Sequence, residues 1–356
     1  MGIFKHKIIK IIYYILTLLL SLLSLIFAIR RLKFLIDLKK INELAILSSY
    51  EKLDVKSDKI QEKTKEFNER SNLILKKDPP YEEEEKEEIQ SEHEYESTNF
   101  KVIENQFGKC GQKCDNFYIK NITGKNIDFN SYLKKKPKIK IKNKKKPIVL
   151  IYHTHTTERY IDKDVDYKKY YPRSKDNTKN VVSVGEEIVN ALKKRGINAI
   201  HDCTLHDYPE YIGSYSRSAK TVREIMKRNP EIQISIDIHR DSIGENNKKV
   251  KPTFTTKNGQ KASQIMFISG CGINKNLKFP NWEQNLILAM NLQKTCENNF
   301  PGLTRELFVK NVKYNQDISP GSLLIEVGSD VNTIDESKRA GRMLGDSLGI
   351  FLNSYL

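Results

Sequence analysis

Three short runs concentrate side chains that can bind a metal ion or move a proton. They are His153-Thr154-His155-Thr156-Thr157-Glu158, Ile238-His239-Arg240-Asp241 and Leu324-Ile325-Glu326-Val327-Gly328. In the first, two imidazoles on alternate residues and a carboxylate three positions on can converge on one ion. Zinc sites that catalyse hydrolysis use three N/O ligands and leave a fourth position for water. A His, a Glu and a second His, with another Glu as base, compose such a site and bring the pKa of the bound water toward ~7. His239 is followed directly by Arg240 and Asp241, which supply the polar support that a ligating imidazole needs. Glu326 ends an otherwise apolar run, where an unpaired charge is costly, and this singles it out for function. His201 and His206, in IHDCTLHDY, are rival ligands. Cys271, in GCGIN, has no papain-like or caspase-like signature around it and reads as a small buried thiol.

The elements that must position these groups can be read from 148 onward. Ile148–Ile151, Ala199-Ile200, Ile232–Ile238, Gln264–Ser269 and Leu323–Val327 read as strands. Val181–Lys194, Thr221–Arg228, Gln284–Asn299 and Asp335–Leu352 have helical spacing. Strands alternating with helices predict an α/β domain over 148–356, a mixed, mostly parallel sheet flanked by helices. Ligand sites in such folds gather at the carboxyl ends of strands, where the three runs lie.

Upstream of 148 the composition changes. The 356 residues carry 61 Lys+Arg against 45 Asp+Glu, a formal charge of +16. That excess suits nucleic acid, an anionic membrane or an acidic wall polymer. No charged residue falls between Ile11 and Ile29, about the length that crosses a ~30 Å hydrocarbon core. Ala28 is followed by Ile29-Arg30-Arg31 instead of a cleavage signature, so 1–35 reads as an uncleaved membrane anchor. Basic residues flank it on both sides and leave its orientation open. It is the only such segment, which excludes a polytopic membrane protein. Residues 36–98 read as a juxtamembrane helix and then a disordered acidic spacer, EEEEKEEIQSEHEYE. Residues 99–147 form a small pre-domain, or the first strands of the next domain, followed by a solvated basic hinge, Lys134–Pro147. Cys110 and Cys114 can close a local disulfide in an exported chain or remain two thiols. Five Cys make neither a disulfide scaffold nor a four-cysteine zinc site. Nucleic acid is not an expected partner, since no recognition helix or interleaved aromatics accompany the basic stretch.

IVLIYHTHTTERY, VVSVGEEIVNALKKRGINAIHD, SIDIHRDS, FPNWEQNLILAMNLQ, PGLTR and YNQDISPGSLLIEVGSDVNT, in that order over about 148–355, resemble the stage II sporulation protein P family. That resemblance implies a membrane-anchored, zinc-dependent cell-wall hydrolase of endospore formers, with the fold of N-acetylmuramoyl-L-alanine amidases. It implies cleavage of the amide between glycan and stem peptide, an endopeptidase activity besides, and a role in engulfment with stage II sporulation proteins D and M. It also implies a catalytic domain outside the cytoplasm. Superposing the amidase motifs places zinc ligands on His155 and His239 and the base on Glu326. The amidases' Glu ligand heads a helix where this chain has Thr178-Lys179-Asn180, which leaves Glu158 as the substitute. His153 is then a second-shell or substrate-side group, or the ligand in place of His155, and Arg240 orients substrate or braces Asp241. A metal-dependent peptidase or deacylase with another substrate, and a catalytically inert wall-binding module, are the rival classes.

Overall fold

A computed structural model describes residues 100–143, 145–162, 170–245, 248–272 and 277–356. The expected anchor, juxtamembrane helix and acidic spacer lie outside the described residues. Among the described residues no helix is long and apolar enough to cross a membrane.

The strands are β1 (Lys101–Asn105), β2 (Gln112–Cys114), β3 (Phe117–Asn121), β4 (Val149–Tyr152), β5 (Ala199–His201), β6 (Ile234–Asp241), β7 (Gly244–Glu245), β8 (Lys248–Thr255), β9 (Lys261–Ser263), β10 (Ile265–Gly270), β11 (Leu307–Lys310) and β12 (Ser322–Ser329). The helices are α1 (Phe129–Leu133), α2 (Val181–Lys194), α3 (Ser214–Arg228), α4 (Trp282–Asn299) and α5 (Ile334–Asn353). The main sheet has eight strands in the order β2-β3-β11-β10-β12-β6-β4-β5. β12, β6, β4 and β5 are mutually parallel, whereas β10 runs antiparallel to β12. A smaller sheet joins β1, β8 and β7, with β9 paired to β8.

Central strands are buried on both faces and therefore read as continuous apolar runs. Odd-numbered residues of β4 and β12 and even-numbered residues of β6, such as Ile151, Ile325 and Ile238, pack on one face with α2, α4 and α5. Leu150, Tyr152 and Leu324 face the other way, toward α3. Helix ends are set by local chemistry. The Asn180 side chain accepts from the Val182 N–H at the start of α2, and Thr333 with Glu336 forms a reciprocal capping box on α5.

Residues 101–121 are part of this fold: β1 pairs with β8, and β3 pairs with β11 to extend the main sheet. No local rule announces such pairing, because the partners lie far away in sequence. Cys110 and Cys114 are not joined to each other by a disulfide. The basic stretch is pinned rather than loose. Pro137 is buried, Ile139 and Ile141 pack against the core, and the Lys140 N–H donates to Gln233 Oε1 at 3.2 Å.

Candidate metal centre

β4 ends at Tyr152, and the chain then turns tightly through Thr154–Thr157. The threonines make that buried turn affordable. Thr154 donates its N–H (2.8 Å) and hydroxyl (2.5 Å) to Asp237 on β6, and Thr157 donates both its groups to Asp207. Thr156 donates its hydroxyl to Thr204 O at 2.6 Å. With its polar groups met by protein partners, the segment from His153 to Glu158 sinks below the surface.

The turn brings His155 and Glu158 to His239, which stands near the carboxyl end of β6. These three buried residues each offer one ligand atom, all within 4.8 Å of one another. Nδ1 of His155 lies 3.4 Å from Glu158 Oε1, and Nδ1 of His239 lies 3.6 Å from Oε2. The two imidazoles meet edge to face, 4.9 Å between centroids. Glu158 Oε2 also accepts the Arg240 N–H at 2.9 Å. Tyr211 and Tyr215 pack on the His155 ring at 4.7 and 5.4 Å. Two imidazoles and one carboxylate in a dry, walled position fit a zinc ion by donor type and number.

Glu326 sits on β12, in register with His239 and on the same face of the sheet. It stands beside His239 on the adjacent strand, close enough for its charge to act on that imidazole. Asp237 is a participant that the sequence reading did not single out. Wholly buried, its Oδ1 lies 2.9 Å from His239 Nε2 as an ion pair, although the N–H is not aligned with the oxygen. The signal that could have found it is the period of two, which puts positions 237 and 239 on one face.

Electrostatics follow from this crowding. Burial pushes the His239 pKa down, but Asp237, then Glu158 and Glu326, override it and raise it to about 10. Burial pushes Glu158 up, while a hydrogen bond with His155 and the charges of His239 and Arg240 hold it well below the usual carboxylate range. His155 is lowered, chiefly by burial. Metal-free, the centre is thus a carboxylate beside an imidazolium, and an ion would replace the proton on His239 Nδ1.

His153 does not join the centre. The expected alternation that would put 153 and 155 on one face fails because the strand ends at Tyr152 and the turn reverses His155. His153 points to the α2 face, where its Nδ1–H donates to Ile238 O at 2.9 Å and its Nε2 lies 3.0 Å from His201 Nε2. Burial, then His201, lowers its pKa to about 3, so it stays neutral and accepts from His201. Gly185 on α2 makes room for the pair: a Cβ there would lie 2.5 Å from His201 Nε2 and 2.9 Å from His153 Nε2. His206 donates from Nδ1 to His153 O at 2.7 Å and serves the turn. The Arg240 side chain is buried and spans the loop carbonyls of Pro172 (2.8 Å) and Arg159 (3.3 Å), while Asp241 is paired with Arg305 at 2.7 Å. Arg240 therefore touches the centre through its backbone N–H, while its side-chain charge acts on Glu158 from the loop side. Cys271 is fully buried.

A profile of the family described as Stage II sporulation protein P matches residues 32–349. The chain belongs to the stage II sporulation protein P family. Stage II sporulation protein P of Bacillus subtilis (strain 168) is 32% identical over 217 residues. The matched segment covers 56% of this family member and 50% of that relative, so the chain spans about half the length of the curated protein it matches. Solved structures with partial likeness include the N-acetylmuramoyl-L-alanine amidase AmiC2 of Nostoc punctiforme, at 13% identity and a TM-score of 0.35, covering 59% of this chain and 96% of that one. Another is the CwlD amidase of Clostridioides difficile in complex with the GerS lipoprotein, at 12% identity and a TM-score of 0.36, covering 58% and 98%. Both likenesses are low in identity and in score.

Proposed function

We propose that this chain is a zinc-dependent peptidoglycan hydrolase that cuts the amide between N-acetylmuramic acid and the stem peptide, with an endopeptidase activity besides, during engulfment in sporulation. The observation that carries this reading is the buried set His155, Glu158 and His239 with Glu326 in register on the next strand. Family membership supplies the biological setting. An ion held by the three donors supplies Lewis acidity and a water that ionises near neutral pH. Glu326 takes the proton of the attacking water and hands it to the leaving nitrogen, the part of a general base that becomes a general acid. Asp237 holds the His239 ring, the Arg240 N–H holds Glu158, and Tyr211 and Tyr215 pack on the His155 ring. The same reading takes the apolar run Ile11–Ile29 as an anchor in the cell membrane, with this domain on the extracytoplasmic side. Stage II sporulation proteins D and M are its partners.

The test is mass spectrometry of products after the full chain meets intact peptidoglycan, with and without a chelator, beside Glu326→Gln. Free stem peptides and peptide-less glycan are expected from the native chain. They should vanish with chelator and fall by roughly 10²–10⁴-fold in Glu326→Gln, while zinc uptake by that variant stays native. Products that persist in either case would sink the zinc mechanism. Absence of products from a zinc-loaded chain, even with the two partners added, would favour a wall-binding module.

A further inference from the structure

The end of the domain opposite the metal centre is strongly basic, and its charges come from separate elements. Strands β4, β5 and β6 are mutually parallel, and His155, Glu158 and His239 gather at their carboxyl ends. The lysine-rich strap enters β4 and therefore runs past the amino ends. It is tied there by Lys140 N–H to Gln233, just before β6, and by the Asn198 side chain, just before β5, donating to Lys145 O at 3.1 Å. With Pro137, Ile139 and Ile141 turned inward, Lys136, Lys138, Lys140 and Lys142 are all exposed. None of these four lysines forms an ion pair among the described residues, whereas Lys249, Lys251 and Lys294 elsewhere do.

Two helices deliver more charge to the same end. α2 leads into β5 and α3 into β6, so each helix runs antiparallel to the strands and finishes at their amino ends. Their last turns carry exposed Lys193 and Lys194, and Lys227 and Arg228. The nearby acids Asp346 and Asp317 are already engaged by Arg195 at 3.1 Å and Lys313 at 3.2 Å, which leaves Glu224, Glu231 and, beside Tyr132 at the start of the strap, Glu283 against this array. Leu356, 56% exposed, lies at this end too, since the closing helix returns there and Asn353 donates to Arg195 O at 3.3 Å.

We infer that this basic end is a docking face for an anionic phospholipid surface, which would aim the metal centre away from the bilayer. Charge spread over three elements makes a face, which matches a plane of phosphate headgroups better than a groove matches one polymer strand. The apolar run Ile11–Ile29, preceding the strap in the same chain, would keep such a surface within reach. Attraction of this kind acts within about a Debye length and is lost in salt. The inference rests on the anchor of the hydrolase reading and not on its hydrolytic chemistry.

The test reconstitutes the full chain into vesicles of phosphatidylcholine alone or mixed with phosphatidylglycerol, and measures lysine acetylation by mass spectrometry. Labelling of Lys136, Lys138, Lys140, Lys142, Lys193 and Lys194 should drop roughly fivefold or more on the anionic vesicles. It should recover in about 1 M salt, where the Debye length is ~3 Å. Lys257, exposed in the turn between β8 and β9 at the other end, should label equally on both. The quadruple variant Lys136→Gln, Lys138→Gln, Lys140→Gln and Lys142→Gln should lose most of the protection of Lys193 and Lys194. Equal labelling on both vesicles overturns the inference. So does protection by added polyglycerol phosphate without protection by anionic lipid.

Discussion

His239 carries the densest set of interactions at the centre, and two expectations follow at the residue scale. Asp237 lies against its Nε2 and leaves Nδ1 facing Glu158. A carboxylate behind a ligating imidazole fixes its orientation and raises its basicity, and losing such support costs metal affinity 10–100-fold. Asp237→Asn keeps an oxygen for the Thr154 N–H, presents its NH2 to the Thr154 hydroxyl, which can accept it, and drops the charge. Zinc affinity, measured by competition with a chromogenic chelator, should fall by roughly that factor while the fold is retained. Native affinity in that variant would show that Asp237 serves only the turn. The second expectation concerns pH. In the metal-free chain His239 has a pKa of about 10 against an ordinary 6.5. Its folded value lies above its unfolded value, so its stabilisation is fully present below pH ~6.5 and is lost as pH rises toward ~10. Chelator-treated protein should therefore unfold at lower denaturant at pH 9.5 than at pH 6.5, and His239→Gln should flatten that dependence. His155, Glu158, His239 and Glu326 could be marked from sequence because each closes or follows an apolar strand run. The period of two puts Asp237 on the same face as His239, but its hold on the Thr154 turn could not be read, since that depends on β4 pairing with β6.

Among the elements, the pairing of α2 with α5 steadies the face behind the centre. Gly345 on α5 sits so close to α2 that a Cβ would lie 2.6 Å from Ile188 O and 2.7 Å from the Ala191 methyl. Gly345→Val must push the helices apart and should destabilise by about 1–3 kcal/mol, read from denaturant midpoints. An unchanged midpoint would mean that the two helices separate freely. Helices were the most legible elements, because cap residues and a 3.6 period are local signals. The span Val181–Lys194 is the one the periodicity indicates. α3 begins at Ser214, upstream of the Thr221 read from sequence, because its first turns are polar and held by tertiary bonds such as Arg217 Nε–H to His206 O at 2.6 Å.

For the whole molecule, the lesson lies at the edge of the main sheet. Cutting the chain to 148–356 would strip β3 from β11 and β1 from β8, exposing unpaired strand edges beside apolar Leu307 and Val309. That piece should aggregate, whereas a chain beginning at residue 99 should elute as a folded species on size exclusion. A soluble 148–356 with a native melting midpoint would contradict this. By itself the sequence determined the alternation of strands and helices from 148 onward and the strand ends where imidazoles and carboxylates collect, because apolar periodicity is written in neighbouring residues. Tertiary structure alone decided that residues 101–121 complete the sheets, that His155 turns to the centre while His153 turns to His201, and that Asp237 ties down the Thr154 turn. Those outcomes depend on hydrogen-bond register between segments tens to hundreds of residues apart, and no local pattern encodes that register.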